Sequence, residues 1–112
     1  MQLLVFILKK VELIEELIKE LAEAGITGGT ILSGTGMVTA MMSMDSLPVF
    51  GMLRQVLGDQ EKEASKVMLF VLKDEDAASA RKIIKKVIGD LTEPNTGILF
   101  GMPITYVEGL GD

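Results

Sequence analysis

The sequence predicts one α+β domain built from two β-α-β units, and three observations lead to that prediction. Four short apolar runs have the length of buried strands, and two of them lead into a helical pattern. The two halves also echo each other, because residues 6–9 (FILK) match residues 70–73 (FVLK), each where a strand leads into a helix. Finally, 112 residues suit a single domain, 1–112.

The first unit begins with the continuous apolar run 3–8, which predicts a buried strand. A helix follows, because apolar residues recur at helical spacing from Val11 to Ala22, with charged residues between them. Gly25 is expected to end this helix, as glycine commonly does just past a helix end. Residues 27–32 (TGGTIL) then predict the second strand.

An insertion of about 34–65 separates the two units. Residues 33–45 have no clean period and mix glycine, small polar residues and methionine, so we predict a mobile loop. Ser46 and Pro48 are typical of a helix start, and the short helix they begin is expected to end at Gly58. Residues 59–65 are polar and predict a connector.

The second unit repeats the plan of the first. Residues 66–72 predict the third strand, and apolar residues at helical spacing from Ala77 to Ile88 predict a helix that Gly89 ends. The acidic residues 74–76 mark the start of that helix. After a loop at 90–96, residues 97–102 predict the fourth strand, and 104–107 are expected to add a short edge segment.

Two such units with right-handed crossovers predict a ferredoxin-like βαββαβ sandwich: an antiparallel four-stranded sheet with both helices on one face, and a long loop and short helix inserted between the halves. The other face of the sheet would be bare, although its strands are strongly apolar. Because 48% of the residues are hydrophobic, we predict that identical copies cover that face, so that the chain forms a homo-oligomer.

Composition excludes several classes of function. The net charge is −5 without a basic stripe, so we do not expect a nucleic-acid partner. No cysteine or histidine is present, which removes thiolate and imidazole metal sites and every Cys-His or Ser-His catalytic pair. No carboxylate pair stands out as a general acid and base, so we predict no catalytic residues and no metal site. A small enzyme on the same scaffold is kept as the least favoured alternative.

Targeting signals are not expected. The apolar N-terminal run is short, and Lys9 and Lys10 follow it rather than precede it, which is the wrong order for a secretory signal. No stretch reaches membrane-spanning length, so we expect no membrane insertion and a cytoplasmic location.

Two polar loops are candidate ligand sites, and each has a simpler interpretation. The glycine-rich run 25–36 would let backbone amides approach an anion, or would merely form the turns that flank a strand. The loop Asn95-Thr96-Gly97 would contact a ligand, or would be an ordinary β-turn.

Methionine is concentrated in the insertion. Five of the eight methionines lie there, and such flexible side chains suit either adaptable recognition of a partner or packing within an oligomer. Both interpretations stay open. The predicted partner contacts are Met37, Met41, Met42, Met44 and Phe50.

Four features together carry a resemblance to a known family. They are the segment GITGGT at 25–30, Gly36 at the opening of the long loop, KVMLFVLKDED at 66–76, and TGILF at 96–100 followed by Pro103. They resemble, in order, the GITG-x-T segment, the T-loop glycine, the third strand with its acidic helix start, and the C-terminal glycine loop of the PII signalling proteins. The resemblance covers nearly the whole chain.

The resemblance implies a PII-like regulatory protein that assembles as a homotrimer. PII-like proteins bind adenine nucleotides or related effectors in clefts between subunits, and their T-loop docks on a transporter, an enzyme or a transcription factor. Carried over by position, the implied ligand-binding residues are Thr30, Gly36, Leu72, Asn95, Thr96 and Gly97.

Several basic residues of the family pattern are replaced in this chain. The family's lysine after the glycine loop falls on Ile98, and its arginine–glutamine pair falls on Thr39 and Ala40. The cofactor is therefore left unknown, with an adenine nucleotide implied by resemblance only. The alternative function is a ligand-free structural or assembly module on the same trimeric scaffold.

Overall fold

Four strands form one antiparallel sheet in the computed structural model, which describes residues 1–42 and 65–110. The strands are β1 (Gln2–Leu8), β2 (Thr30–Gly34), β3 (Ser65–Leu72) and β4 (Gly97–Pro103). Their order in the sheet is β2-β3-β1-β4, and each neighbouring pair is antiparallel. The described chain is thus an α+β domain whose sheet is compatible with a ferredoxin-like fold.

Each strand-to-strand connection of the two units contains a helix. A 3-10 turn (Val11–Leu13) runs into α1 (Ile14–Glu23), and α3 (Asp74–Ile88) joins β3 to β4. Between these two helices in the chain, a short helix, α2 (Met37–Met42), follows β2. The predicted glycine stops are confirmed for α1 and α3, because Gly25 and Gly89 have φ values of 83° and 95°, which side-chain-bearing residues rarely adopt.

One face of the sheet lies under α1 and α3, and we call it the covered face. Alternate residues of β1 point into it, so Leu4, Phe6 and Leu8 are buried together with Met68 and Phe70 of β3. The helices and the residues near them complete this core with Leu17, Leu21, Ile26, Ala80, Ile84 and Ile88.

The opposite face, which we call the bare face, is also apolar. The strand register puts three rows of side chains on it: Leu3, Val71 and Met102; Val5, Leu69 and Phe100; Ile7, Val67 and Ile98. On β4 these residues are 51% (Ile98), 43% (Phe100) and 46% (Met102) exposed. Helices α1 and α3 pack against the covered face, so neither of them covers this one.

Beyond shifts of one or two residues at strand ends, three features differ from the sequence prediction. Strand β2 begins at Thr30 rather than at residue 27, and the residue before it, Gly29, passes so close to Phe70 that an added Cβ would clash with the ring. Part of the predicted loop 33–45 is helical instead, since Ala40 N donates to Gly36 O at 2.9 Å at the start of α2.

The third difference is that residues 104–107 form no strand. One backbone bond, from Ile104 N to Met1 O at 3.1 Å, continues the pairing past Pro103. The predicted helix after Pro48 and the connector 59–64 lie outside the described residues, as does most of the predicted insertion. Within the described ranges, none of the helices has the length and apolar character that crossing a membrane requires.

Candidate functional site

A groove of about 580 Å³ opens at the end of the sheet where β1 finishes and β3 begins. We call it the groove, and its volume lies in the range of small-molecule sites. Its lining comes from four places in the chain: the end of β1 and the segment after it (Ile7, Lys9, Lys10, Glu12), the end of β2 and start of α2 (Gly34, Thr35, Gly36, Thr39), the start of β3 (Ser65, Val67), and the loop before β4 with the start of that strand (Pro94, Asn95, Ile98).

The apolar part of the groove belongs to the bare face. Ile7, Val67 and Ile98 form one row of that face across three strands, and all three line the groove. The groove and the bare face are therefore continuous, and anything that covers the face also borders the groove.

The loop between α3 and β4 is held by its own hydrogen bonds. Thr92 donates to Oδ1 of Asp90 from both its backbone N and its hydroxyl, at 2.9 and 2.7 Å. These bonds favour the ionised carboxylate and hold the pKa of Asp90 below its ordinary value. Further along, the Thr96 hydroxyl donates to Glu93 O at 2.8 Å and to Leu91 O at 3.3 Å.

The same loop is tied to the segment that follows β1. Thr96 is 1% exposed, and its carbonyl accepts hydrogen bonds from Lys9 N at 3.1 Å and Lys10 N at 3.4 Å. Asn95, which precedes it, has a φ of 62°, a left-handed conformation that asparagine tolerates better than most residues. These contacts place Asn95 and the two lysines around one opening.

The charged side chains of the groove are Lys9, Lys10 and Glu12. Within the described ranges, neither lysine forms an ion pair. The groove therefore carries two positive charges and one negative charge, although the whole chain has a net charge of −5. Hydroxyl and amide groups of Ser65, Thr35 and Asn95 add neutral hydrogen-bonding partners.

The structure brings some of the predicted ligand-binding residues together and separates others. Gly36 and Asn95 line the groove, and Thr96 and Gly97 follow Asn95 directly, with the Thr96 hydroxyl engaged inside its own loop. Thr30 and Leu72 lie away from the groove in the same protomer, since Thr30 pairs with Leu69 and Leu72 pairs with Gln2 at the far end of β3.

Two predicted partner contacts are described, and both belong to α2. Met37 is 77% exposed at the start of the helix, and Met41 is half-buried. The side chain of Met42, and Met44 and Phe50 altogether, lie outside the described residues. The helix begins at the rim of the groove, because Gly36 lines it.

Sequence reasoning missed Lys9, Lys10 and Glu12 as site residues. It considered basic side chains only at the positions where the resemblance implies them, such as the position of Ile98. The missed signal was the pair of lysines directly after a buried strand, because a strand end at the edge of a sheet opens onto the loops where ligands bind. Among the residues that the structure describes, no cluster of three acidic side chains is arranged to hold a metal ion.

The fold and the groove together define an α+β protein with a four-stranded antiparallel sheet, one uncovered apolar face and a polar groove at the end of that face. Comparisons with known proteins found no match: no protein-family model matches this sequence, and no curated protein does either.

Proposed function

We propose that this chain is a PII-like regulatory protein that works as a homotrimer, binds a small effector in clefts between subunits and controls a partner protein through the loop after β2. The observation that carries the proposal is the bare face. It is apolar in all three of its central rows, and the groove continues from it.

The size of the bare face supports association. Four strands about 4.8 Å apart, with about 3.3 Å per residue along six residues, give an area of roughly 400 Å². A contiguous apolar patch of that size matches the largest patch on a typical single chain, which is often functional. A second copy is the occupant we propose, because a face without charged groups suits another face of the same kind.

The edges of the sheet also favour association of identical copies. Both edge strands lie in the two longest uncharged stretches of the sequence, residues 24–44 and 94–107. Natural proteins usually protect free edges with charged residues. Strand directions alternate across the sheet, so β4 of one copy would lie antiparallel to β2 of the next, with all bare faces on one side. Repetition of that contact by rotation closes a ring.

In such a ring the groove would become a cleft between subunits, because its apolar wall is part of the bare face, which the neighbouring copies would cover. Thr30 and Leu72, which lie apart from the groove in one protomer, would be contributed by a neighbouring copy. Met37, which follows the groove-lining Gly36, is exposed, and this supports a role of the loop after β2 in partner contact. An effector bound beside Gly36 would also contact the start of α2, so it could change the position of that loop.

Sedimentation velocity tests the proposal. We expect the wild-type chain to sediment as a trimer at micromolar concentration, and Phe100→Lys to dissociate it because a charge would enter the bare face. Ile18→Lys is the matched control: Ile18 is 41% exposed against 43% for Phe100, but lies on α1. A wild-type monomer at these concentrations would contradict the proposal, as would equal behaviour of the two variants.

A further inference from the structure

The groove has a charge opposite to that of the chain. Its lining includes two lysines, Lys9 and Lys10, and one carboxylate, that of Glu12, whereas the whole sequence has 16 acidic and 11 basic residues. A local excess of positive charge with apolar walls attracts anions and raises their concentration at the site. Flexible surface lysines usually attract anions only weakly, so a binding site also requires that the lysines be held in place.

The backbone of both lysines is fixed by one buried acceptor. The carbonyl of Thr96 accepts from Lys9 N and from Lys10 N, and Thr96 itself is almost completely buried. Their side chains make no ion pair with any other described residue, in contrast to Lys86, which pairs with Glu20 at 3.4 Å between the helices. The backbone of both lysines is thus fixed, and their side chains form no ion pair with any described residue.

Neutral hydrogen-bond partners complete the site. Asn95, on a backbone held in the left-handed conformation, and Ser65 line the groove. Gly36, where an added Cβ would meet only Thr39 Oγ1 at 3.9 Å, permits close approach of a ligand to the backbone. A carboxylate or a phosphate is the chemical group that two lysines and such donors bind best.

We infer that the groove binds a small anion, carrying a carboxylate or a phosphate, and that Lys9 and Lys10 are its charged ligands. The inference rests on the proposed function and names the class of its effector. It also accounts for Ile98, where the resemblance would place a lysine: the positive charge of this groove comes from the end of β1 instead.

The test titrates the chain with inorganic phosphate, pyrophosphate, succinate and citrate by calorimetry at low ionic strength. NMR follows the backbone amides of Gly36 and Asn95, with sodium chloride at matched ionic strength as the blank. We expect at least one of these anions to bind and to shift both amides, and the pattern across the four probes separates phosphate from carboxylate recognition. If none of the four gives heat or shifts beyond the blank, the inference is overturned.

Variants then locate the binding. The double substitution K9Q/K10Q is expected to weaken the affinity at least tenfold, whereas K9R/K10R keeps it within a few-fold. The double substitution K19Q/K82Q removes the same charge from exposed positions on α1 and α3 and should leave the affinity within twofold. Equal weakening by K9Q/K10Q and K19Q/K82Q would mean a general charge effect and would overturn the site.

Sedimentation of the same samples separates this inference from the proposed function. A trimer that binds none of the four anions overturns the anion site and leaves the oligomeric assembly standing. A monomer that still binds an anion through Lys9 and Lys10 overturns the oligomeric regulator and supports the site.

Discussion

The covered and bare faces of the sheet are made by the same strands and the same kinds of side chain, but their surroundings differ. On β1, Leu4, Phe6 and Leu8 are buried under α1 and α3, and on β4 the alternate residues Ile98, Phe100 and Met102 remain about half exposed. The residues of the bare face are not more polar. Only their neighbours differ.

This difference teaches what the continuous apolar runs mean. Strands that are buried on one face alternate apolar and polar residues, whereas strands buried on both faces are apolar throughout. Strands β1 and β3 are of the second kind, yet α1 and α3 cover only one of their faces. We therefore interpret the bare face as one that is covered in the assembled protein.

The largest expected effect tests the difference between the two faces with one phenylalanine on each, Phe6 on the covered face and Phe100 on the bare face. Phe6→Ala should lower the free energy of unfolding by about 3–5 kcal/mol, because Phe6 is fully buried in the core of the covered face. Phe100→Ala should lower it by about 1 kcal/mol or less when the chain is monomeric. Urea unfolding measures both losses, at a protein concentration low enough that sedimentation detects only monomer.

If Phe100→Ala in the monomer destabilises the chain as strongly as Phe6→Ala, the bare face is covered within a single chain. The comparison between the faces would then be wrong. The proposal that identical copies cover it would fall as well.

Two glycines of β4 sharpen the comparison, because both lie on the covered face and differ in how closely it packs on them. A Cβ at Gly97 would lie 2.8 Å from Ile7 O and from the Phe6 ring, while one at Gly101 would have ordinary contacts at 3.5 Å. We expect Gly97→Ala to cost about 1–3 kcal/mol. Gly101→Ala should be neutral or slightly stabilising, since alanine restricts the unfolded chain.

Thermal unfolding of the two variants measures this difference. Similar midpoints for Gly97→Ala and Gly101→Ala would mean that β4 moves freely against β1 at its groove end. A selective loss at Gly97 supports a structural reason for glycine there, beside the ligand role that the resemblance implies.

The α+β class and most strands and helices were predictable from the sequence, because their signals are local. The apolar runs at 3–8 and 66–72 and the helical spacing before Gly25 and Gly89 fix those elements without knowledge of their neighbours. Boundaries that depend on contacts elsewhere were wrong. Strand β2 starts at Thr30, beyond the close passage of Gly29 over Phe70, which no local pattern reveals.

The groove was only partly predictable for the same reason. Gly36 and Asn95, which line the groove, lie in the two loops that local glycine and turn chemistry made candidates, at positions that the resemblance also implies. Lys9 and Lys10 were not predicted to line the groove, because their position depends on the distant carbonyl of Thr96, which holds their backbone beside Asn95. Long-range hydrogen bonds of this kind leave no pattern in a single sequence.

A smaller effect is expected at Thr96, the one buried polar side chain among the described residues. Thr96→Val keeps the shape but leaves Glu93 O without the hydroxyl that donates to it at 2.8 Å, so we expect a loss of about 1 kcal/mol. Thr105→Val, at an exposed position, is the control. Chemical denaturation of both variants measures the difference, and equal stability would mean that the hydroxyl does not stabilise the loop.

The smallest expected effect concerns Asp90, at the exposed end of the same loop. Its pKa is held below the ordinary 3.8 by the hydrogen bonds that Thr92 donates, so the folded protein favours the ionised form. Because the folded pKa is the lower one, this stabilisation is present above the ordinary pKa and is lost as the pH falls through the lowered value. Asp90→Ala should therefore lower the thermal midpoint slightly at pH 7, and the difference from wild type should shrink below pH 3.8.

Asp90→Asn separates the charge from the acceptor. It keeps an Oδ1 that Thr92 can bond but does not ionise, so its difference from wild type at pH 7 should be smaller than that of Asp90→Ala and should reverse or vanish in acid. Thermal scans of the three proteins from pH 7 to pH 3 decide the matter. A constant difference in thermal midpoint between wild type and Asp90→Ala across that range would mean that the carboxylate does not stabilise the loop through its charge. The two ends of the loop between α3 and β4, at Asp90 and at Thr96, would then differ only in that Thr96 is buried.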